Sequence, residues 1–508
     1  MTGTGQEAVF AFLADPTTYG GAGPVTRIAT HGAEIFLAGN DAYKVKRAVH
    51  FPFMDFSTLE KRAAACRAEI AVNRANAPSL YLGVVPITRS GGGLRLGGDD
   101  AVVEWAVHMR RFDETATLDR LAEQGPLGPS LVDRLAQAVL DAHQRAPVHP
   151  GEGATRSLGR VLRETVDELA AGTSSFGGDR IQRFGAALIA GFTAVEPLLR
   201  RRGTQGQIRH CHGDLHLGNL VLIEGEPVLF DALEFDPAFA VTDILYDLAF
   251  LVMDLCERGL GADANRLLNR YVLGAPDPVR TIDGLAALPV FLALRAAIRA
   301  KIAVLRWAED AGQAKAACAY FTAAERFIAP ASPLLVAIGG LSGSGKTSLA
   351  VRLAPIIGRA PGALLLRSDV ERKRLAGVAE TEPLPDTAYT PDSAGTVYCR
   401  LQQLAEHGLR AGQAVILDAV QGRPEEQAAA AALAAKLGVP FRGFWLEVPV
   451  EILKTRVASR RGDASDATPA VVERQLAAGL SAPGWMQLEA GQPVKVLAAA
   501  VMRSLAPA

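Results

Sequence analysis

Residues 340–347 read GLSGSGKT, and this short stretch constrains the fold more than any other part of the chain. Gly340, Gly345, Lys346 and Thr347 fill every fixed position of G-x-x-x-x-G-K-[ST]. Such a loop wraps its backbone around an anion with the N–H groups turned inward. It needs a buried strand before it and a helix after it, whose N-terminus adds positive potential. Both neighbours are legible, as an apolar run at 334–338 and a helical run from Ser348. The expected ATP-binding residues are Gly340, Leu341, Ser342, Gly343, Ser344, Gly345, Lys346, Thr347 and Ser348. Lys346 would reach the β- and γ-phosphates, and the Thr347 hydroxyl would bind Mg²⁺. The bland alternative is a flexible Gly/Ser loop, and the flanking elements argue against it.

Downstream, apolar runs at 363–366, 414–417 and 442–446 alternate with helical stretches. That alternation predicts an α/β fold with a parallel sheet. Ligands gather at the carboxyl ends of parallel strands. Asp369 follows the 363–366 run and is placed to accept a proton from a substrate hydroxyl. Arg372 stands one helical turn on, as a candidate for binding substrate phosphate or the transferring group. The plain reading is a helix cap with an arginine on its solvent face. Asp418 ends the 414–417 run and would orient Mg²⁺ through water, unless it is an ordinary turn residue. Arg456, Arg460 and Arg461, ahead of Asp463 and Asp466, suggest guanidiniums on a lid over ATP, against the plain reading of a solvated basic helix end.

The first half holds a second cluster. Residues 210–220 read HCHGDLHLGNL, containing H-G-D-x-x-x-x-N, and Asp231 closes a later apolar run. This is the layout of a protein-kinase-like site: Asp214 as base, with Asn219 and Asp231 as Mg²⁺ ligands. A transition-metal site explains fewer of these residues. The lysine that would grip ATP is Lys44, because Ala42 supplies the small residue two positions before it; Lys46 is the second choice. Glu69, on a helix expected over 58–76, is its expected partner, ahead of Glu60. Residues 104–107 are expected to be the hinge that meets adenine through backbone groups. Strands are expected at 26–35, 42–46, 81–87 and 102–107, with a turn at 91–93.

A chain of 508 residues exceeds one ordinary core. The break at 329–333, Ala-Pro-Ala-Ser-Pro, separates a domain over 1–329 (N-lobe about 1–107, C-lobe about 108–329) from one over 334–508. The net charge of −1 gives no support to a nucleic-acid or anionic-membrane partner. The uncharged stretch 327–345 is too rich in Pro, Gly and Ser for a membrane helix, and the start of the chain lacks the pattern of a signal peptide. Five scattered cysteines with no CxxC fit a reducing cytoplasm.

The stretch from 334 to about 480, through GLSGSGKT, RSDVERKRL and the arginine-rich segment after Arg456, resembles small P-loop kinases related to gluconate kinase, polynucleotide kinase, zeta toxins and chloramphenicol phosphotransferase. Residues 25–255 resemble the aminoglycoside phosphotransferase family, with HGDLHLGN as catalytic loop, LFDALEFDP as metal-binding segment, and Asp247 of TDILYDLAFL bracing the loop. The pairing looks like the branch in which the two domains are fused. The resemblance implies an α+β bilobal protein-kinase-like fold followed by an α/β P-loop NTPase fold. It departs in lacking a clean G-x-G-x-x-G before Lys44, where His31 and Gly32 would form a shorter phosphate-covering turn. The leading expectation is an ATP- and Mg²⁺-dependent kinase with two centres acting on small hydroxylated molecules. The alternatives are a regulatory protein with one inactive centre, or a nucleic-acid 5′-hydroxyl kinase in the second domain.

Overall fold

The computed structural model describes residues 4–21, 23–51, 54–172, 176–234, 240–305, 311–459 and 462–505. The chain forms two compact units, Met1–Glu164 with Glu196–Asp254, and Thr165–Val195 with Leu255–Ala508.

The first unit is built on a six-stranded antiparallel sheet. Its order is Val25–Ala29, Ala33–Ala38, Asp41–Lys46, Ala101–Arg110, Tyr81–Ser90, Gly93–Leu96. Successive strand residues face opposite sides. From Asp41–Lys46, Tyr43 and Val45 pack with Val9, Phe10 and Leu13 of the N-terminal helix. Ala42 turns the other way, toward Cys66 of helix Leu59–Asn73, so Lys44 and Lys46 leave the sheet on that side too. Thr58 caps this helix, accepting the Lys61 amide at 3.3 Å.

Two expectations change here. The single strand over 26–35 is a hairpin, broken at Thr30–Gly32, where the Thr30 amide donates to Ala33 O at 2.8 Å. The turn at 91–93 leads into an extra strand, Gly93–Leu96. Gly91 and Gly92 have φ of 56° and 90°, the left-handed pair that a two-residue hairpin turn needs. The remainder of the unit is mostly helical. A small hairpin, Leu220–Ile223 with Glu226–Leu229, and the pair Ile208–His210 with Val241–Asp243 interrupt it.

The second unit centres on a five-stranded parallel sheet, ordered Leu364–Arg367, Val415–Asp418, Leu335–Gly340, Phe441–Glu447, Met486–Glu489. Leu335–Gly340 is buried along its whole length, as the middle strand of a doubly covered sheet must be. The glycine-rich loop leaves its carboxyl end and enters helix Lys346–Leu353. At one sheet edge, helix Gly261–Gly274 stands in for a missing strand: Asn269 Nδ2 donates to Ala363 O at 3.1 Å and its Oδ1 accepts the Leu365 amide at 2.7 Å. Asn265 adds a bond to Ala363 O at 3.0 Å. One helix among the described residues, Pro278–Val304, is long and apolar enough to cross a membrane, and it is mostly buried in this core.

Candidate active sites

In the first unit, Glu69 is fully buried and bridges two lysines. One carboxylate oxygen lies 2.9 Å from Lys44 Nζ, the other 2.5 Å from Lys46 Nζ. Lys44 also meets Asp231 at 2.5 Å, and Lys46 meets Glu234. Glu60 is exposed and takes no part. Burial works against the Lys44 ammonium, but the Asp231 and Glu69 carboxylates prevail and hold it well above the ordinary lysine value. Burial likewise pushes Glu69 up, and the two lysines together bring it below the ordinary carboxylate value.

The 210–219 loop is fixed from beneath. Asp247 accepts the Gly213 and His212 amides at 2.8 and 3.2 Å, and Asp254 accepts the Leu217 amide at 3.0 Å. Asn219 Nδ2 donates to the Asp214 carboxylate at 3.0 Å. The Phe230 amide donates to Asn219 O at 3.1 Å, which brings Asn219 beside Asp231 at the open end of the small hairpin. Asp231 sits at φ 59°, a left-handed conformation that aspartate tolerates better than most residues. Its amide donates to the Tyr81 hydroxyl at 2.9 Å, and the next amide donates to Asn73 Oδ1 at 2.7 Å. Burial pulls His212 below the usual histidine value. Its neutral Nε2–H then donates to Phe230 O at 2.9 Å, a brace between the loop and the Asp231 segment. His143, Cys211 and Asp247 also cluster, with ligand atoms within 4.8 Å of one another, but the Asp247 carboxylate is already engaged by two amides and by His143 at 3.1 Å.

The expected hinge at 104–107 is in the wrong place. These residues lie mid-strand, all four paired with Tyr81–Ser90, and Ala106 and Val107 also with Asp41–Lys46. The Trp105 amide donates to the Glu104 carboxylate at 3.1 Å, and the Trp105 carbonyl accepts the Cys66 thiol at 3.9 Å. The Glu104 side chain is buried against Arg62, with a 2.8 Å ion pair.

In the second unit, Gly340 has φ 144°, and a Cβ there would lie 2.7 Å from Ser344 Oγ and 3.0 Å from Leu446 O. Only glycine lets the loop close. The Lys346 ammonium donates to Leu341 O at 3.0 Å. Thr347 Oγ1 donates to Asp418 Oδ2 at 2.7 Å. Ser342 is held by Gln475, through bonds of 2.9 Å to its amide and 3.1 Å to its hydroxyl. Ser344 Oγ is buried with no hydrogen-bond partner, a polar atom left facing the loop it belongs to. Lys346, Thr347, Ser348, Asp369, Asp418 and Asp463 are among the residues lining a cavity of about 300 Å³. Burial pushes the Asp418 carboxyl up, against the pull of Arg367 and Lys346. Asp369 lies in the first turn of helix Ser368–Leu375, whose cap position is Arg367, not Asp369.

Two expected residues stand apart from that cavity. Arg372 donates to Ala388 O at 3.0 Å and lies over the Tyr389 ring at 4.9 Å. Arg456 reaches toward the carbonyls of Gly343 and Ala490, at 3.5 and 3.4 Å. Arg460 and Arg461 lie outside the described residues.

Comparison with known proteins decides what these two clusters belong to. Residues 37–282 match the phosphotransferase enzyme family, and residues 335–479 match an AAA domain. An uncharacterized protein of Mycobacterium tuberculosis is 30% identical over 464 residues, covering 89% of each chain, and one of Mycobacterium bovis matches to the same extent. The chain belongs to one family with these mycobacterial proteins, and its residues 37–282 form a domain of the phosphotransferase enzyme family. It is a kinase-type phosphotransferase with a P-loop kinase domain joined to it. Among solved structures, a choline/ethanolamine kinase family protein from Mesorhizobium loti is 15% identical, with 64% of this chain and 95% of that one covered and a TM-score of 0.41. An APS kinase of Mycobacterium tuberculosis in complex with AMPPNP and APS is 22% identical, with 35% and 99% covered and a TM-score of 0.26.

Reading this phosphotransferase from sequence missed several supports. Asp254 was readable: it follows Asp247 by two helical turns and so shares its face. Arg367 gave no signal, yet it sits 3.1 Å from Glu380, 3.2 Å from Asp463 and 3.6 Å from Asp418. Gln475 belongs to no motif, and Glu234 stands inside LFDALEFDP without having been singled out.

Proposed function

We propose that each half of the chain carries an ATP-dependent phosphotransfer centre that passes the γ-phosphate to a hydroxyl group of a small molecule. What supports this is a shared assembly. Each cluster draws from distant segments a lysine for phosphate, hard oxygen donors for a divalent cation, and a carboxylate able to take a hydroxyl proton. In the first, these are Lys44 fixed by Glu69, Asn219 with Asp231, and Asp214. In the second, they are Lys346, Thr347 with Asp418, and Asp369. Amide, hydroxyl and carboxylate oxygens fit Mg²⁺, which when bound would neutralise charge on the β- and γ-phosphates.

Phosphoryl transfer asks the protein for positioning and charge stabilisation more than for covalent chemistry. The inward amides of 340–347 and the helix behind them would cradle phosphate. Asp247 and Asp254 would keep the 210–219 loop rigid, so that Asp214 meets the acceptor hydroxyl at a fixed angle. Arg372 and Arg456 would act on substrate or ATP only after leaving their present carbonyl partners.

The test is a screen of hydroxylated metabolites and aminoglycosides for ATP-dependent phosphorylation by the full chain. Asp214→Ala should lower transfer at the first centre by about 10²- to 10⁴-fold while largely sparing ATP binding. Lys346→Ala should weaken nucleotide binding at the second. ATP consumption at the wild-type rate by the double variant would mean that both centres are wrongly assigned.

A further inference from the structure

We propose that Lys46 and Glu234 are positioning residues of the first centre, a second ion pair that holds the Asp231 segment in register when Lys44 turns to phosphate. This rests on the reading of that centre given above.

The five charged groups form one chain: Asp231, Lys44, Glu69, Lys46, Glu234. Its two ends differ. The Asp231 side chain is 43% exposed and that of Lys44 is 12% exposed. The side chains of Lys46 and Glu234 are 3% and 6% exposed. Lys46 is further closed in by the Phe56 ring, 5.4 Å from its ammonium. Ligand can therefore reach the Asp231 end and not the Glu234 end.

Lys44 at present ties strand Asp41–Lys46 to Asp231 at 2.5 Å. It cannot keep that contact while it serves a phosphate and Asp231 serves a cation. Something else must then join the strand to the 231–234 segment. Lys46 does so three residues further on, while its 2.5 Å contact with the second Glu69 oxygen keeps that carboxylate aimed at Lys44. The charge balance agrees. Three carboxylates face two ammoniums, so the network as a whole holds one negative charge in excess, which suits a cation at its exposed Asp231 end. Lose Lys46, and three buried or half-buried carboxylates share a single lysine.

The experiment uses the full chain carrying Lys346→Ala, which silences the second centre. Calorimetry measures binding of a non-hydrolysable ATP analogue across a Mg²⁺ titration, alongside thermal unfolding without ligand. Glu234→Gln and Lys46→Met should each raise the half-saturating Mg²⁺ about 10-fold, the size of effect seen when supports of metal ligands are removed. Lys46→Arg should recover most of the loss, and the double variant should bind no worse than the weaker single, because the two act as one pair. A purely structural role would lower the unfolding temperature and leave the Mg²⁺ dependence alone. If Lys46→Met fails to fold, Glu234→Gln decides: wild-type Mg²⁺ dependence there overturns the proposal. Failure of the underlying reading looks different, because Asp231→Asn would then leave the Mg²⁺ dependence unchanged. Intact binding in Lys44→Met with binding lost in Lys46→Met would make Lys46 the phosphate lysine and also overturn it.

Discussion

At Asp418, burial and chemistry pull in opposite directions. Its carboxyl is buried, and burial raises its pKa above the ordinary value despite Arg367, Lys346 and the Thr347 hydroxyl. The unfolded chain releases this proton first. Between the ordinary carboxylate value and the raised one, the folded chain holds more protons. Stability from this group is therefore complete at low pH and lost as pH rises through that interval, so above it the group carries a cost that it does not carry in acid. Asp418→Asn removes the cost and also removes an oxygen suited to Mg²⁺. The variant should unfold in the absence of nucleotide at the wild-type temperature or above, and lose most of the upward shift that Mg²⁺ with ATP gives the wild type. Differential scanning calorimetry at pH 7 checks both. A nucleotide-free variant clearly less stable than wild type would show that Asp418 chiefly anchors Arg367, 3.6 Å away.

Among elements, the edge strand Leu364–Arg367 depends on side chains in place of a neighbouring strand. Asn269 alone takes the Leu365 amide, at 2.7 Å, while Ala363 O is shared with Asn265. Asn269→Leu should thus strand one backbone donor and destabilise the second unit by about 1–3 kcal/mol, read as a lower urea midpoint. Asn265→Leu should cost less, because Asn269 still serves the same carbonyl. How much of this was readable depended on whether the physics is local. Fixed-spacing loops were plain: 340–347 needs its glycines in order, and Asp214, Asn219 and Asp231 follow a spacing set by one hairpin. The Met486–Glu489 strand was not, since Leu488 is its one buried residue and MQLE carries no apolar run. The hinge was misplaced because apolar alternation marks a strand without marking where pairing ends. Lys46 stood as the second choice of lysine and Glu234 lay within LFDALEFDP, but their pairing lay beyond reach, being a contact across 188 residues that no local spacing sets.

For the whole molecule, the division of the chain matters more than its order. The polypeptide passes between the two units at 164–165, 195–196 and 254–255. The second unit therefore includes Thr165–Val195 and the helices after Leu255, besides the sheet. A fragment beginning at residue 334 would lack Asn265 and Asn269 and would present a bare strand edge, a template for self-association. We expect it to elute as oligomers or aggregate by size exclusion, where the full chain does not. A monodisperse fragment with undiminished nucleotide binding would refute that. The same interleaving sets a schedule for synthesis. Phe176 and Phe184 pack against Phe321, with ring centroids 4.5 and 5.3 Å away. A ribosome moving at about 5–20 residues per second delivers Phe321 on the order of ten seconds after Phe184. For that interval the emerging chain carries two aromatic rings whose berth has not yet been made, a window in which a chaperone or a neighbouring nascent chain competes for them.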